Sequence, residues 1–366
     1  MSRVLRVGID GRALISPAAG VRRYTSELVA ALLRLDGLLQ LVALGGGGPW
    51  PAAVERRPEP IHPPTNLGWT AVGLARAARR ARLDVYHGPA YTAPPFGVSP
   101  IVLTVHDVSY ERRPDWYPHR RDPLRRAFYR ASARAATLII TDSAFSKAEI
   151  TAAYGIPPSR IRVVPLGVSP RFTPPPVPPP EDRARYVLHV GDIHPRRNLM
   201  VALEAVILLR REGERFRDLS LHLIGIDRGG LAPLADFARA QGHDSALRVL
   251  GNVDEDTLLA AYRGAMALVY PSLYEGFGLP ILEAMACGVP VIAARAATAG
   301  EVGGDAAVLV DPVTGAHWAN ALRAVLEDGR HRATLSARGL ARAAEFTWER
   351  TARLTLDVYR EAASTR

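Results

Sequence analysis

Strand-length apolar runs alternate with segments of helical periodicity along almost the whole chain, and no other feature constrains the fold as strongly. In the first half, strands are predicted at residues 4–9, 39–44, 84–87, 101–105, 137–141 and 161–164. Strands that alternate with helices build parallel sheets covered by helices on both faces. The first half is therefore predicted to be a doubly wound α/β domain, in which ligands bind beyond the carboxyl ends of the strands.

A proline-rich stretch, 169–182, separates this series from a second one. Proline lacks a backbone donor and favours extended geometry, so the stretch is predicted to be a semi-rigid linker. Further strands are predicted at 186–190, 219–224, 247–250, 267–270, 289–292 and 307–310. The predicted domain order is 1–168, linker 169–182, 183–346, and a final helix within 347–366.

Composition narrows the classes of protein. The net charge is +10 over 366 residues, and Cys287 is the single cysteine, which excludes an internal disulfide and a multi-cysteine zinc site. The sequence contains no apolar run of membrane-spanning length, and its first residues lack the pattern of a signal peptide, so we expect a cytoplasmic protein. The positive charge fits either a solvated basic surface or a partner that carries phosphate, anionic lipid or nucleic acid.

The segment 270–293 carries the most specific signal. A glycine-containing loop at 275–278 joins a strand that ends at Tyr270 to a helix that begins near Leu279. Backbone amides at such a helix start favour a phosphate group. Glu283, one turn inside the helix, can accept hydrogen bonds from vicinal hydroxyls such as those of a ribose. The alternative is a pair of solvated glutamates.

Glu275 and Glu283 have seven residues between them, and the surrounding text EGFGLPILEAMACGVPVI resembles the family 4 retaining glycosyltransferases, with their E-x7-E pattern. The resemblance implies the GT-B fold, in which two Rossmann-like domains face each other across a cleft and a C-terminal helix crosses back to the N-terminal domain. It also implies transfer of a hexose, with mannose favoured, from a nucleoside diphosphate sugar to a saccharide or lipid-linked acceptor on the N-terminal side. In the usual proposal for this family the leaving phosphate takes the acceptor proton, so no side chain is assigned as general base.

The resemblance covers nearly the whole chain and implies roles in the first domain. In the segment GIDGRALISPAAGVRRYTSELVAAL, the amides of Gly20 and Val21 would face the donor diphosphate. In TVHDVSYERRPDWYP, His106 would contact the donor sugar. The alternatives are an ordinary strand–helix turn and a histidine satisfied at a strand end.

Further roles fall in the second domain. Arg196 and Arg197 in HVGDIHPRRNL would stabilise the departing diphosphate. Arg197 stands where the family usually has a lysine, which keeps the charge but changes its shape. The alternative for Arg196 and Arg197 is a pair of arginines on a helix surface. Asp192 stands where some members of the family carry an arginine, which removes one possible contact. The backbone near Val253 would meet the nucleobase. The complete donor set adds the amides of Gly278 and Leu279 for the diphosphate, Glu283 for the ribose, and Glu275 with the backbone near Phe277 for the sugar hydroxyls.

Two segments bear on cofactors and partners. The acidic triplet 254–256 precedes a predicted helix, where acids favour the helix start, so we predict no catalytic metal and no cofactor beyond the nucleotide sugar. The segment 115–135 interleaves arginines with aromatic residues. This pattern fits peripheral contact with anionic lipid at the inner face of the cell membrane, docking of a phosphate-bearing acceptor, or an ordinary helix with a basic outer face. Ser146 and Glu149 have the spacing of a helix capping box.

Other functions remain open at this point. A sugar-nucleotide epimerase and a catalytically silent sugar-nucleotide binder would both share the fold. The charge also raises nucleic-acid binding, but the sequence has no aromatic-rich binding motif for it, and we expect no nucleic-acid partner.

Overall fold

The computed structural model describes residues 4–16, 18–35, 37, 39–45, 48–57, 66–98, 100–117, 122–177 and 185–365. The chain divides into two compact units. The first comprises Met1–Gly167 together with Thr347–Arg366, and the second comprises Val168–Phe346. The predicted linker therefore begins inside the second unit, and its residues 178–182 lie outside the described part of the chain.

The first unit contains one parallel sheet of seven strands. The strands are β1 (Leu5–Asp10), β2 (Leu39–Leu44), β3 (Glu55–Arg57), β4 (Val85–Gly88), β5 (Ile101–Thr104), β6 (Leu138–Thr141) and β7 (Ile161–Val163). Their spatial order is β3-β2-β1-β4-β5-β6-β7. The interior strands β4, β5 and β6 are buried along their whole length, as expected for a sheet covered on both faces.

Helices of the first unit connect these strands. They are α1 (Ala19–Leu33), α2 (Asn66–Gly68), α3 (Leu74–Arg80), α4 (Ser109–Arg112), α5 (Pro123–Ala135) and α6 (Ala144–Tyr154). A π-helical turn, Trp69–Gly73, joins α2 to α3. The predicted capping box is wrong, because the N-cap of α6 is Ser143, whose side chain accepts a hydrogen bond from the Ser146 amide. Gly155 ends α6 in the left-handed conformation that a residue without Cβ adopts most easily.

The second unit contains a parallel sheet of six strands. The strands are β8 (Tyr186–Val190), β9 (Ser220–Ile224), β10 (Leu247–Gly251), β11 (Ala267–Tyr270), β12 (Val291–Ala294) and β13 (Ala307–Val310). Their spatial order is β10-β9-β8-β11-β12-β13. The helices are α7 (Leu199–Arg211), α8 (Leu231–Ala240), α9 (Glu255–Gly264), α10 (Leu279–Ala286), α11 (Ala299–Gly303), α12 (Gly315–Glu327) and α13 (Gly329–Ala344).

The last helix, α14 (Trp348–Ser364), belongs to the first unit although it follows the second unit in sequence. It packs on α1 and on the strands β4, β5 and β6. Its buried residues recur at helical spacing, including Thr351, Thr355 and Tyr359. The return of the C-terminal helix to the N-terminal domain is confirmed, as is the prediction of two doubly wound parallel-sheet domains. No helix of the described residues has both the length and the apolar character needed to cross a membrane.

Candidate functional site

Each sheet reverses its strand order at one point, and this point positions the candidate residues. The reversal lies between β1 and β4 in the first unit and between β8 and β11 in the second. In open parallel sheets, ligands bind outside the carboxyl ends of the strands at such a switch point. The loop after β8 carries Arg196 and Arg197, and the loop after β11 carries Glu275, so three predicted site residues share one switch point.

Arg197 and Glu275 form a buried ion pair at this switch point. Arg197 Nη1 donates to Glu275 Oε1, and both side chains are about nine-tenths buried. Arg196 lies in the same turn, with its Nη2 atom 3.9 Å from Glu275 Oε2. The sequence predicted these residues as separate contacts to phosphate and sugar, whereas the structure joins them directly.

The side chains around Arg197 hold its guanidinium in place. Nη1 also donates to Tyr270 Oη at 2.9 Å and lies 3.3 Å from Ser272 Oγ. Burial, followed by the charge of Glu275, raises the pKa of Tyr270 to about 12, so its hydroxyl stays protonated. Arg197 Nε is buried and has no hydrogen-bond partner among the described residues. Buried polar groups are normally paired, so this N–H is a donor suited to an acceptor from a ligand.

The helix after Glu275 begins as the sequence predicts. Gly278 is the N-cap of α10 with φ of 113°, a conformation that side-chain-bearing residues rarely adopt. No side chain caps this end of the helix, and proline occupies its first turn. The first-turn amides, including that of Leu279, are therefore not satisfied by a capping side chain. Phe277 is buried, and its carbonyl accepts a hydrogen bond from Thr298 Oγ1, which fixes the loop just before the helix.

Glu283 lies inside α10 and is only 3% exposed. Tyr262 of α9 donates to Glu283 Oε2 at 2.7 Å. A carboxylate offers about four acceptor sites, and Tyr262 uses one of them. Glu283 is therefore a buried carboxylate that Tyr262 orients, a partner that the sequence analysis did not find, and its contact with a ribose stays a prediction.

Two other predicted positions of the second unit, Val253 and Asp192, lie in the loops after β10 and β8. Val253 is half-buried in the loop from β10 to α9, two strands away from β8 in the sheet. Asp192 follows β8 and faces Arg228, with Oδ2 3.2 Å from Nε. The carboxylate that replaces an arginine of some family members is therefore itself paired with an arginine from the next loop.

The acidic triplet 254–256 has structural roles in the described chain. Asp254 is the N-cap of α9, and its side chain accepts from the Thr257 amide at 2.7 Å. Its two neighbours, Glu255 and Asp256, pair with Arg171 at 2.6 and 2.7 Å. The helix-start prediction is confirmed for this segment. No group of three potential metal-ligating residues occurs within the part of the chain that the structure describes.

In the first unit, the start of α1 carries Gly20 and Val21. The N-cap residue, Ala18, makes no side-chain capping hydrogen bond. Gly20 is exposed, and a Cβ added there would meet nothing within 4 Å, so this position leaves open space beside the helix start. Val21 is buried, which leaves its amide rather than its side chain for the predicted contact.

His106 follows β5 and pairs with Asp142, which follows the neighbouring strand β6. Nδ1 lies 2.8 Å from Asp142 Oδ2. Burial alone would lower the pKa of His106, but the Asp142 carboxylate, with Asp107 nearby, raises it above its ordinary value. Asp142 was missed at the sequence level, although a carboxylate placed directly after a predicted strand was the available signal.

A second missed pair lies at the carboxyl end of β1. Arg12 Nη2 is 2.5 Å from Asp10 Oδ2 and 2.8 Å from Thr70 Oγ1, which lies in the π-helical turn. The pair lies at the strand-order reversal of the first unit, and nothing in residue spacing alone distinguishes it from a surface pair.

The basic segment 115–135 is partly neutralised by its own unit. Residues 118–121 lie outside the described chain. Arg126 and Arg130 of α5 both contact Glu111 at 2.6 Å, whereas Leu124 is 73% exposed. The helix therefore presents less free charge than the sequence suggests.

Two family models match the chain. The model for "Glycosyltransferase Family 4" matches residues 18–172, and the model for "Glycosyl transferases group 1" matches residues 174–342. The first match ends and the second begins shortly after Val168, where the second unit begins.

Among curated proteins, the chain is 35% identical over 296 residues to the O-antigen chain mannosyltransferase B of Escherichia coli, covering 78% of this chain and 76% of that protein. It is 34% identical over 257 residues to a D-inositol 3-phosphate glycosyltransferase of Kineococcus radiotolerans, covering 63% of this chain and 59% of that protein. Among solved structures, Anabaena HepE in complex with UDP and glucose is similar with a TM-score of 0.73 at 18% identity, covering 98% of this chain and 100% of that one. Likeness at this identity shows the fold, and it agrees with the predicted GT-B architecture.

Proposed function

Because the chain belongs to the family 4 glycosyltransferases, we propose that it transfers a hexose, with mannose favoured, from a nucleoside diphosphate sugar to a saccharide or glycolipid acceptor. The proposal includes retention of anomeric configuration, which the resemblance implies. The mannose preference is supported by the O-antigen mannosyltransferase relative. The nucleotide-sugar donor is supported by the neighbour that binds UDP and glucose.

One observation carries the proposal: the buried Arg197–Glu275 pair at the strand-order reversal of the second unit. An arginine fork binds phosphate oxygens with directed N–H groups, and its charge persists at any physiological pH. The unpaired Nε–H of Arg197 supplies a donor for the diphosphate while Nη1 remains on Glu275. The ion pair holds Arg197, the proposed contact of the leaving diphosphate, next to Glu275, the proposed contact of the sugar.

The neighbouring groups fit the same ligand. The uncapped start of α10 offers amides from Gly278 and Leu279 to an anionic oxygen. Glu283, oriented by Tyr262, is assigned to the ribose hydroxyls. Arg196 adds a second positive charge on the side of Glu275.

In the transition state, negative charge grows on the departing diphosphate. Preorganised donors aimed at that charge lower the barrier more than they strengthen ground-state binding. We assign this electrostatic role to Arg197 and Arg196, and the orientation of the sugar hydroxyls to Glu275. The roles of His106 with the sugar, of Gly20 and Val21 with the diphosphate, and of Val253 with the nucleobase stay predictions.

The test is a thermal-shift screen against GDP-, UDP-, ADP- and dTDP-sugars, followed by donor hydrolysis with the best binder. Glu275→Ala should reduce turnover more than it reduces affinity for the bare nucleoside diphosphate, and Glu283→Ala should weaken nucleotide binding. Glu214→Gln is the matched control, because Glu214 is an exposed glutamate of the same unit that pairs with Arg217. If both site variants behave like the control, the site assignment is wrong.

Two rival functions predict different results in the same assay. An epimerase would convert the donor sugar without any acceptor, and a silent binder would shift the melting temperature without turnover. Appearance of an epimerised sugar, or binding with no hydrolysis and no transfer across an acceptor panel, would replace the transferase proposal.

We propose separately that α5 contacts anionic membrane lipid. Exposed Leu124 and Arg125 of α5 present an apolar and a basic side chain side by side, but Arg125 lies 3.4 Å from Asp122. We therefore expect low affinity for vesicles with anionic lipid, sensitive to salt. Co-sedimentation with and without the paired change Leu124→Gln and Arg125→Gln measures it, and unchanged sedimentation would remove α5 as the contact.

A further inference from the structure

Four buried side chains of the first unit form one continuous hydrogen-bonded chain. Tyr359 Oη lies 2.7 Å from His87 Nδ1, and His87 Nε2 lies 2.8 Å from Thr104 Oγ1. Thr104 Oγ1 in turn lies 2.9 Å from Tyr24 Oη. None of the four is more than 2% exposed. The chain crosses four elements that are distant in sequence: α14, β4, β5 and α1.

The far end of this chain contacts His106. The ring of Tyr24 meets the His106 imidazole edge to face, with 4.7 Å between centroids and an interplanar angle of 84°. Edge-to-face aromatic contacts depend on ring orientation. The hydrogen bond between Tyr24 Oη and Thr104 Oγ1 holds one end of the Tyr24 ring. A change in this hydrogen bond would therefore change the orientation of the ring that packs against His106.

The His87 imidazole lies between the hydroxyls of Tyr359 and Thr104, and its protonation state affects how both of them form hydrogen bonds. Burial, followed by the nearby charge of His106, lowers the pKa of His87 to about 3, so the ring is neutral at working pH. A neutral imidazole has one N–H, so one ring nitrogen donates while the other accepts. The hydroxyls of Tyr359 and Thr104 can each donate or accept, so the His87 tautomer couples the hydrogen-bond role of one hydroxyl to that of the other.

We propose that Tyr359 of the C-terminal helix is a positioning residue for His106, acting through His87, Thr104 and Tyr24. The Tyr359 hydroxyl holds the His87 imidazole through Nδ1, His87 holds the hydroxyl of Thr104, and Thr104 holds the ring of Tyr24 against His106. The expected effect on turnover rests on the proposed function, whereas the effect on the His106 ring does not.

This inference gives the return of α14 to the first unit a role beyond packing. Deleting a hydroxyl from Tyr359 leaves its ring in the core, so packing of α14 against α1 is retained. A purely structural tyrosine would then change stability without changing the environment of His106.

The test uses hydroxyl deletions with a matched control. The variants are Tyr359→Phe, Tyr24→Phe and the double variant, and the control is Tyr154→Phe. Tyr154 is a buried tyrosine of the same unit, and its hydroxyl bonds to that of Tyr110 instead. NMR of protein labelled at histidine imidazoles reports the His106 signals, assigned by their loss in His106→Gln.

We expect Tyr359→Phe and Tyr24→Phe to shift the His106 signals and its titration midpoint, and Tyr154→Phe to leave both unchanged. The double variant should match the larger single change, because groups in one chain are not independent. In the hydrolysis assay, the turnover number should fall on the order of 3- to 10-fold, with the donor KM nearly constant.

The inference is overturned if Tyr359→Phe leaves the His106 signals and midpoint as in the wild type, or if Tyr154→Phe shifts them equally. Additive shifts in the double variant would also overturn it, since they indicate two separate effects. Shifted His106 signals in a protein that turns over no nucleotide sugar would support the positioning role and remove the proposed function.

Discussion

In each unit, the segments that follow two neighbouring parallel strands carry a pair of oppositely charged residues, but the two pairs differ in chemistry. In the second unit, Arg197 and Glu275 pair a guanidinium with a carboxylate. In the first unit, His106 and Asp142 pair an imidazole with a carboxylate. Arginine remains charged throughout the working pH range, whereas histidine titrates within it. Arg197 of the second unit therefore offers a fixed positive charge suited to a diphosphate. His106 of the first unit offers a group whose protonation depends on pH.

The largest effect is expected at the fixed pair. Glu275→Gln should reduce donor turnover by about 10²- to 10³-fold, the range found when one preorganised transition-state contact is lost. Glu275→Ala should also cost about 3–5 kcal/mol of stability, because it leaves buried Arg197 without its carboxylate. Hydrolysis kinetics and denaturant unfolding measure the two effects.

An apolar replacement separates these effects. The double change Glu275→Leu and Arg197→Met should regain much of the stability lost by Glu275→Ala, since an apolar pair leaves no uncompensated charge. Its activity should stay low. A double variant that is stable and active would show that the pair has no role in turnover.

The next largest effect is expected from Arg197→Lys, which keeps the charge but removes the planar fork. Lysine can contact Glu275 but cannot also present the Nε–H donor. Loss of a charge-assisted hydrogen bond corresponds to about a 10- to 100-fold decrease in turnover. Donor hydrolysis rates for the two enzymes test this, and equal rates would mean that point charge alone is sufficient.

A smaller, pH-dependent effect is expected at the titrating pair. The pKa of His106 is higher in the folded than in the unfolded protein. The ion pair of protonated His106 with Asp142 therefore contributes fully to stability at pH values below the pKa of the unfolded state. This contribution is lost as the pH rises through the pKa of the folded state. Asp142→Asn removes the main raising charge, and the pKa of His106 should then fall, because burial still disfavours the cation. Stability of the wild type should decline from about pH 6.5 upward, and that of the variant should not.

NMR titration of His106 and urea unfolding across this pH range check the prediction. Asp107 and His87 also lie near the ring, so Asp107→Asn serves as the control and should change the midpoint less. A parallel pH dependence in the wild type and Asp142→Asn would contradict the assignment of the titrating pair.

The smallest effect is expected at Tyr262, the partner of Glu283. Tyr262→Phe removes one hydrogen bond to Glu283 and should weaken nucleotide binding only about 3-fold, because the carboxylate stays in place. Tyr186→Phe is the control, since its hydroxyl bonds to the Ala261 carbonyl in the same unit. Calorimetric titration with the nucleoside diphosphate compares the two, and equal affinities would show that Tyr262 does not orient Glu283.

The comparison also explains what the sequence could and could not predict. The strand and helix pattern followed from periodicity, and Gly278 before α10 followed from the chemistry of a glycine at a helix start. Residues close in sequence, such as Glu275 and Glu283, carry a recognisable local pattern. The short edge strand β3 and the helices α2 and α3 were missed, because their apolar pattern is brief.

The sequence can mark a candidate such as a carboxylate after a strand, but it could not show which residues of distant elements pair with one another. Asp142, Tyr262 and Tyr359 reach their partners only after strands far apart in sequence become neighbours in a sheet or helix layer. Periodicity indicates which face of an element is buried but not which residue opposes which. The direct contact between Arg197 and Glu275 needs the β8–β11 neighbourhood, which strand order alone determines.

Glu275 is proposed to bind the sugar and Glu283 to bind the nucleotide at one switch point. The most direct test is calorimetric titration of Glu275→Gln and Glu283→Gln with a nucleoside diphosphate and with its sugar conjugate. We expect Glu283→Gln to weaken both ligands alike, and Glu275→Gln to remove only the extra affinity that the sugar provides. Wild-type affinity of both variants for both ligands would contradict the account.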